Sequence, residues 1–272
     1  MGPVTVPDQS SPPATAAAAW PRTALVTGVS RRTGIGYAIC RRLLADGLTV
    51  VGHGWARHDV DQSRGGDAMD DVVADLHQRG DFHHLEGDLA RPDEPTDAVR
   101  RATELVGPLD VLIANHARSS QGTLAEVTAA ELDASWAVNS RATVLLVQAF
   151  AAQHQTDRPG RVLLFTSGQH LAPMATEVAY AVSKGAVQQM TLTLSDALVD
   201  RGITVNAVNP GPVDTGWAAP AQAAHVGRAF PAGRWTRPDE VAEVVAWLVG
   251  PGAAPITGQT INTEAGFRRF TS

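Results

Sequence analysis

Short apolar runs and longer helical patterns take turns along this chain. Residues 23–28, Thr-Ala-Leu-Val-Thr-Gly, read as a buried strand, and a glycine-rich stretch then leads into apolar residues at helical spacing through Ala45. Further strand patterns lie at 48–53, 82–86, 109–115, 161–166, 203–208 and 259–263. Between them, helical spacing covers 67–78, 94–106, a long region within 124–154, 177–198 and 238–249. Strands and helices in alternation call for a parallel sheet covered by helices on both faces, with ligands at the carboxyl ends of the strands. No internal repeat or linker interrupts the series, so residues 21–272 are expected to form one domain. Residues 1–20 are rich in Pro, Ala and Ser and are expected to be a disordered tail.

Composition narrows the partners. Hydrophobic residues make up 44% of the 272, charged residues 18%, and the formal net charge is −6. An acidic balance without a Lys/Arg block argues against nucleic acid or an anionic membrane as the main partner. No apolar stretch has the length needed to cross a bilayer. The single cysteine, Cys40, allows neither an intrachain disulfide nor a cysteine metal cluster, which suits a reducing cytoplasm. Nine histidines raise the question of a metal. His83 and His84 adjoin Glu86 and Asp88, but consecutive strand residues point to opposite faces, so no metal site is expected.

Chemistry concentrates between Ser167 and Lys184. Ser167 follows a strand pattern, and a helix over 177–198 puts Tyr180 and Lys184 four residues apart on one face. An ammonium near a phenol favours the phenolate, so Tyr180 is expected to exchange a proton near neutral pH. Ser167 would hold a substrate oxygen against it. No Gly-x-Ser-x-Gly elbow surrounds this serine, which argues against a hydrolase. The redox partner comes from the chain's first turn. Strand, glycine loop and helix in that order aim backbone N–H groups and a helix N-terminus at a pyrophosphate. Gly28 permits the tight turn, while Gly34 and Gly36 permit close approach.

With Thr27-Gly28, Gly34-Ile35-Gly36, Asn139, Ser167 and Tyr180-Ala-Val-Ser-Lys184 in order, the sequence resembles a classical short-chain dehydrogenase/reductase, of the 3-oxoacyl-[acyl-carrier-protein] reductase kind. Ser167 lies thirteen residues before Tyr180, the family's usual spacing. Further matches are Gly87-Asp88-Leu89, Asn206-Ala-Val-Asn-Pro-Gly211 and the ending from Ile256 to Gly266. The resemblance implies a Rossmann-type, doubly wound sheet of about seven strands in the order 3-2-1-4-5-6-7. It also implies catalytic roles for Tyr180 as general acid/base, Ser167 as the group steadying the substrate oxygen, Lys184 on the phenol and the nicotinamide ribose, and Asn139 on a relay water. Cofactor contacts would come from Gly28, Ser30, Gly34, Ile35 and Gly36, from Asp88 and Leu89 at the adenine, from Asn115, and from Pro210, Gly211, Val213 and Thr215 over the nicotinamide. A homotetramer or homodimer, pairing along the long helices and the last strand, is the family expectation.

Three departures stand out. Five residues separate Gly28 from Gly34, two more than the common pattern, and this length resembles the enoyl-thioester reductase branch. That branch separates its tyrosine and lysine by six residues, whereas three intervene here, which favours carbonyl reduction. The usual Asn-Ala-Gly reads Asn115-His116-Ala117, and the closing Asp-Gly-Gly reads Glu264-Ala265-Gly266.

Cofactor choice follows from charge. Gly54 stands near the place where an acid would bind the ribose hydroxyls of NAD, while Arg31, Arg32 and Arg57 suit a phosphate, so NADP(H) is favoured over NAD(H). His116 and His170 are expected to line the substrate site at strand ends. Residues 214–237 are expected to form a lid with Trp217 as its main contact, and few charges from 213 to 232 point to an apolar or weakly polar carbonyl or alcohol. Ketone reduction leads; enoyl-thioester reduction and a non-catalytic, nucleotide-sensing Rossmann protein are the alternatives.

Overall fold

The computed structural model describes residues 21–270 apart from 62–66, 217, 219–223 and 225. The expected tail over 1–20 and the lid contact Trp217 lie outside the described residues. Seven strands form one sheet: β1 (Thr23–Thr27), β2 (Thr49–Gly54), β3 (Phe82–Glu86), β4 (Val111–Ala114), β5 (Gly160–Phe165), β6 (Ile203–Asn209) and β7 (Thr260–Asn262). All pairings are parallel, in the order β3-β2-β1-β4-β5-β6-β7. The chain moves outward from β1 to β3, then returns to lay β4 against the other side of β1. Ligands of doubly wound sheets sit at this reversal, and the glycine turn after β1 opens there.

Side-chain alternation explains why the strands read as continuous apolar runs. Ala24 and Val26 enter one core with α1 (Ile35–Ala45), α3 (Met69–His77) and α8 (Pro238–Val249). Leu25 enters the opposite core with α4 (Glu94–Val106), α6 (Ala142–Gln153) and α7 (Val178–Leu198). Leu163 and Leu164 divide in the same way, both fully enclosed. Each such leucine contributes about 1.5–3 kcal/mol of burial, so both helical layers are held to the sheet by many equivalent terms.

The end of the sheet far from the glycine turn is closed by one acid. Asp110, buried just before β4, accepts from the backbone N–H groups of Arg22 (2.6 Å) and Thr23 (3.2 Å). Arg158 grips it with two bonds of 2.6 Å from the turn that leads into β5. One carboxylate therefore aligns the starts of three adjacent strands.

Two elements differ from the sequence expectation. Residues after β2 form a short helix, α2 (Ala56–Asp61), in a stretch to which the sequence pattern assigns no element. The helix expected within 124–154 begins at α5 (Ala129–Ser135), passes through a π turn at Trp136–Arg141 and continues as α6. The Thr128 hydroxyl caps its start by accepting from the Glu131 N–H at 3.2 Å.

Candidate active site

The glycine turn is built so that side chains are excluded. Gly28 has a φ of +77°, and a Cβ there would meet the Asn115 amide at 2.9 Å. A Cβ on Gly36 would lie 2.3 Å from the Gly28 carbonyl oxygen. Asn115 closes the turn from β4, donating from Nδ2 to the carbonyls of Thr27 (3.0 Å) and Gly28 (3.3 Å). The result is a cleft of about 450 Å³ bordered by Gly28, Ser30, Arg31, Gly34, Ile35, Asp88, Leu89, Asn115 and Thr215. The tight turn brings the side-chain-free backbone of Gly28 and Gly34 to the cleft wall at the start of α1, which fits a dinucleotide pyrophosphate.

Several expected contacts lie elsewhere. Arg32 turns away from the cleft; its backbone N–H donates to Asp67 (2.6 Å) and its guanidinium to the Asp71 carbonyl (2.9 Å). Arg57 is exposed on α2 and does not border the cleft. In its place, Trp55 and His58 line the far end, their rings stacked with centroids 6.4 Å apart. Charge at the end of β2 is what the cofactor expectation rests on, whereas aromatic rings stand there. Asp88, beside them, accepts from the Ala90 N–H at 2.9 Å.

A second cavity of about 770 Å³ adjoins the first; Arg31, Ile35, Ala117, Arg118 and Thr215 border both. Ser167 and Tyr180 open into it from one side and Pro210, Gly211 and Val213 from the other. Ser167 lies past the end of β5 in extended backbone, at the start of a one-turn helix, Gly168–His170. Its hydroxyl lies near enough to the Tyr180 phenol to favour the ionised phenol. Lys184, one helical turn on and 2% exposed, donates from Nζ to the Phe165 carbonyl at 2.7 Å, with the ammonium 5.9 Å from the tyrosine ring centroid.

Burial dominates the titration of both groups. Tyr180 is pushed up to about 12, first by loss of solvent, against the opposing pull of the nearby Ser167 hydroxyl. Lys184 is pushed down to about 7 by the same loss of solvent. The expectation that the ammonium lowers the phenol is therefore corrected: in this state Lys184 faces a backbone carbonyl, and burial outweighs it.

The remaining predicted residues occupy distinct places. Asn139, in the π turn and 1% exposed, accepts from the Arg118 N–H (2.7 Å) and donates to the Arg118 carbonyl (3.0 Å) and the Ser183 hydroxyl (2.9 Å). His116 is buried at the edge of the dinucleotide cleft instead of in the substrate cavity. Burial, then the Lys184 charge, pushes its imidazole down to about 3, so the ring is neutral. His170 is exposed, borders neither cavity, and interacts through Nδ1 with the Ser167 carbonyl at 3.1 Å.

One wall residue had no sequence signal. Arg269 reaches the substrate cavity from the C-terminal segment, paired with Glu264, which also accepts from Asn209 at 2.8 Å. Its guanidinium occupies the space that a Cβ on Gly168 would need. Together with Arg118, Ser119, Ser120 and Gln121 it makes this wall polar, in contrast to the apolar 213–232 stretch on which the substrate expectation was based.

A family model described as enoyl-(acyl carrier protein) reductase matches residues 28–268. An oxidoreductase of Bacillus subtilis, YjdA, is 34% identical over 91% of this chain and 97% of its own length. The chain belongs to the short-chain dehydrogenase/reductase family. Another member, a 3-oxoacyl-[acyl-carrier-protein] reductase of Synechocystis, is 30% identical over 92% of this chain and 98% of its own. Among solved structures, a blue fluorescent protein from a metagenomic library in complex with NADPH is 31% identical, with a TM-score of 0.79 over 90% of this chain and 97% of its own. Short-chain dehydrogenase/reductases are oxidoreductases that use nicotinamide cofactors, and the glycine cradle and paired hydroxyls of this member lie in adjoining cavities suited to that use.

Proposed function

We propose that this short-chain dehydrogenase/reductase is an NADP(H)-preferring reductase of a ketone, running in reverse as a secondary-alcohol dehydrogenase. The observation that carries the reading is that Ser167 and Tyr180 open together into a cavity adjoining the dinucleotide cleft. A bound nicotinamide would supply or accept the hydride. Ser167 and Tyr180 would both hydrogen-bond the carbonyl oxygen, polarising it as negative charge develops there. Tyr180 then gives that oxygen its proton, and its own charge is stabilised by Lys184 once the lysine is protonated. Asn139, clamped to Arg118 and Ser183, holds the start of α7 in register with the end of β4.

The polar wall around Arg118 and Arg269 favours a ketone that carries hydrogen-bonding groups, and a 3-oxoacyl thioester is of that kind. Enoyl-thioester reduction is the second reading, favoured by the long glycine loop and by the description of the matching family model. The one-turn spacing of Tyr180 and Lys184 favours the ketone. Preference for NADP(H) rests on Arg31, which borders both cavities, and on a β2 that ends at Gly54, with no acid among the described residues directly after it bordering the cleft. A panel of ketones and conjugated enoyl thioesters assayed with NADPH and NADH tests these points together. Ketone turnover at least about tenfold higher in kcat/KM with NADPH is expected. Turnover of enoyl substrates alone, or preference for NADH, would reject the corresponding part.

A further inference from the structure

His116 belongs to neither the glycine turn nor the Ser–Tyr pair, yet its ring joins two parts of the site. The Thr27 hydroxyl oxygen accepts from the backbone N–H groups of Asn115 (3.1 Å) and His116 (3.3 Å), which leaves it one proton to give. Its two acceptor neighbours are the Ile113 carbonyl at 3.3 Å and His116 Nδ1 at 2.7 Å. On the far side, His116 Nε2 lies 2.9 Å from the Val138 carbonyl. A carbonyl only accepts, so Nε2 carries the ring proton; in the neutral ring Nδ1 then accepts, and Thr27 donates to it. Each hydrogen of this buried chain has a single consistent direction.

Val138 precedes Asn139 within the π turn Trp136–Arg141. Such turns insert one residue into a helix and recur at functional sites. Here the middle of the turn is tied to the exit of β4 by the His116 bond and by the two bonds between Asn139 and the Arg118 backbone. From Asn139 the connection continues to the Ser183 hydroxyl at 2.9 Å, which donates to the Tyr180 carbonyl at 2.8 Å.

We infer that His116 is a positioning residue for the catalytic helix: by bridging Thr27 and Val138 it holds the π turn against β4, and Asn139 and Ser183 pass that position to Tyr180. The effect on turnover rests on the ketone-reductase reading above; the effect on the π turn does not. The experiment compares His116→Ala, His116→Gln and Thr27→Val with the wild type, using steady-state kinetics and amide hydrogen exchange over residues 136–143. Glutamine keeps a donor that can reach Val138, whereas alanine keeps none.

In His116→Ala, kcat is expected to fall about tenfold to a hundredfold, the scale of a displaced reacting group, with the KM for NADPH within about twofold of wild type. Exchange at 136–143 is expected to speed up, glutamine to recover most of both losses, and Thr27→Val to give a smaller loss of the same kind. Equal losses in alanine and glutamine, with the NADPH KM as the parameter that moves, would overturn the inference in favour of simple cleft lining. Wild-type exchange in His116→Ala would also overturn it. If that variant fails to fold, Thr27→Val and His116→Gln decide by the same readouts. Absence of carbonyl turnover in the wild type would defeat the reductase reading, and the exchange arm would still decide the role of His116.

Discussion

Burial drives the Tyr180 phenol and the Lys184 ammonium toward their neutral forms, and this has a measurable cost. A lysine whose folded pKa falls from 10.5 to about 7 binds fewer protons folded than unfolded between those values. Stability therefore rises with pH across that window, and the charged lysine weighs on the fold most below pH 7. Lys184→Met removes the titration, so its stability relative to wild type should be highest at pH 6 and decline steadily toward pH 10.5. Chemical denaturation at several pH values checks the slope; a flat difference would refute it. Tyr180→Phe should lower kcat by at least about a hundredfold while NADPH binding, followed by its fluorescence, stays within a few-fold. Both residues could be read from the sequence because they sit one helical turn apart, a spacing that survives any packing. Arg269 and the bridge made by His116 could not, because contacts with Gly168 and Val138 span distances that no local pattern encodes.

Among the elements, the glycine turn and the far end of the sheet give opposite forecasts. Gly36→Ala would press a methyl group against the Gly28 carbonyl and displace the cradle. NADPH affinity should fall at least about tenfold, about 1.4 kcal/mol of binding per factor of ten, with a lesser loss of melting temperature because the overlap falls on a backbone oxygen. Asp110→Ala should do the reverse. It strips the buried anchor from two backbone N–H groups and from Arg158, so the midpoint of denaturant unfolding should fall by the equivalent of about 3 kcal/mol. Cofactor affinity should hold. The strands were legible because both faces of the sheet are covered and their sequences are almost wholly apolar. The helix α2 was not, because six residues with two arginine or histidine side chains and two acids carry no stripe wide enough to register. The π turn was hidden because one inserted residue leaves the helical spacing on either side of it intact.

For the whole molecule, the order of the strands followed from the family resemblance and the alternation of elements, and the sheet has that order. What the monomer leaves uncovered points outward. Trp136, Val144, Val182 and Leu192 expose large apolar side chains along the helices beside β4 and β5, and Trp247 and Phe270 do so near α8 and the C-terminal segment. Exposed apolar side chains on two different sets of elements suit assembly into a dimer or a tetramer. Light scattering should give a mass of two or four chains, and Val182→Glu with Leu192→Glu should reduce it; a monomeric wild type would refute the assembly. The segment that carries Arg269 adds a consequence for anyone shortening the protein. A version ending at Gly266 would retain the serine, the tyrosine, the lysine and the whole nucleotide cradle, yet one side of the chamber would stand open beside Gly168. If the chain reduces ketones as proposed, selectivity between them, more than turnover itself, is what such trimming should erode.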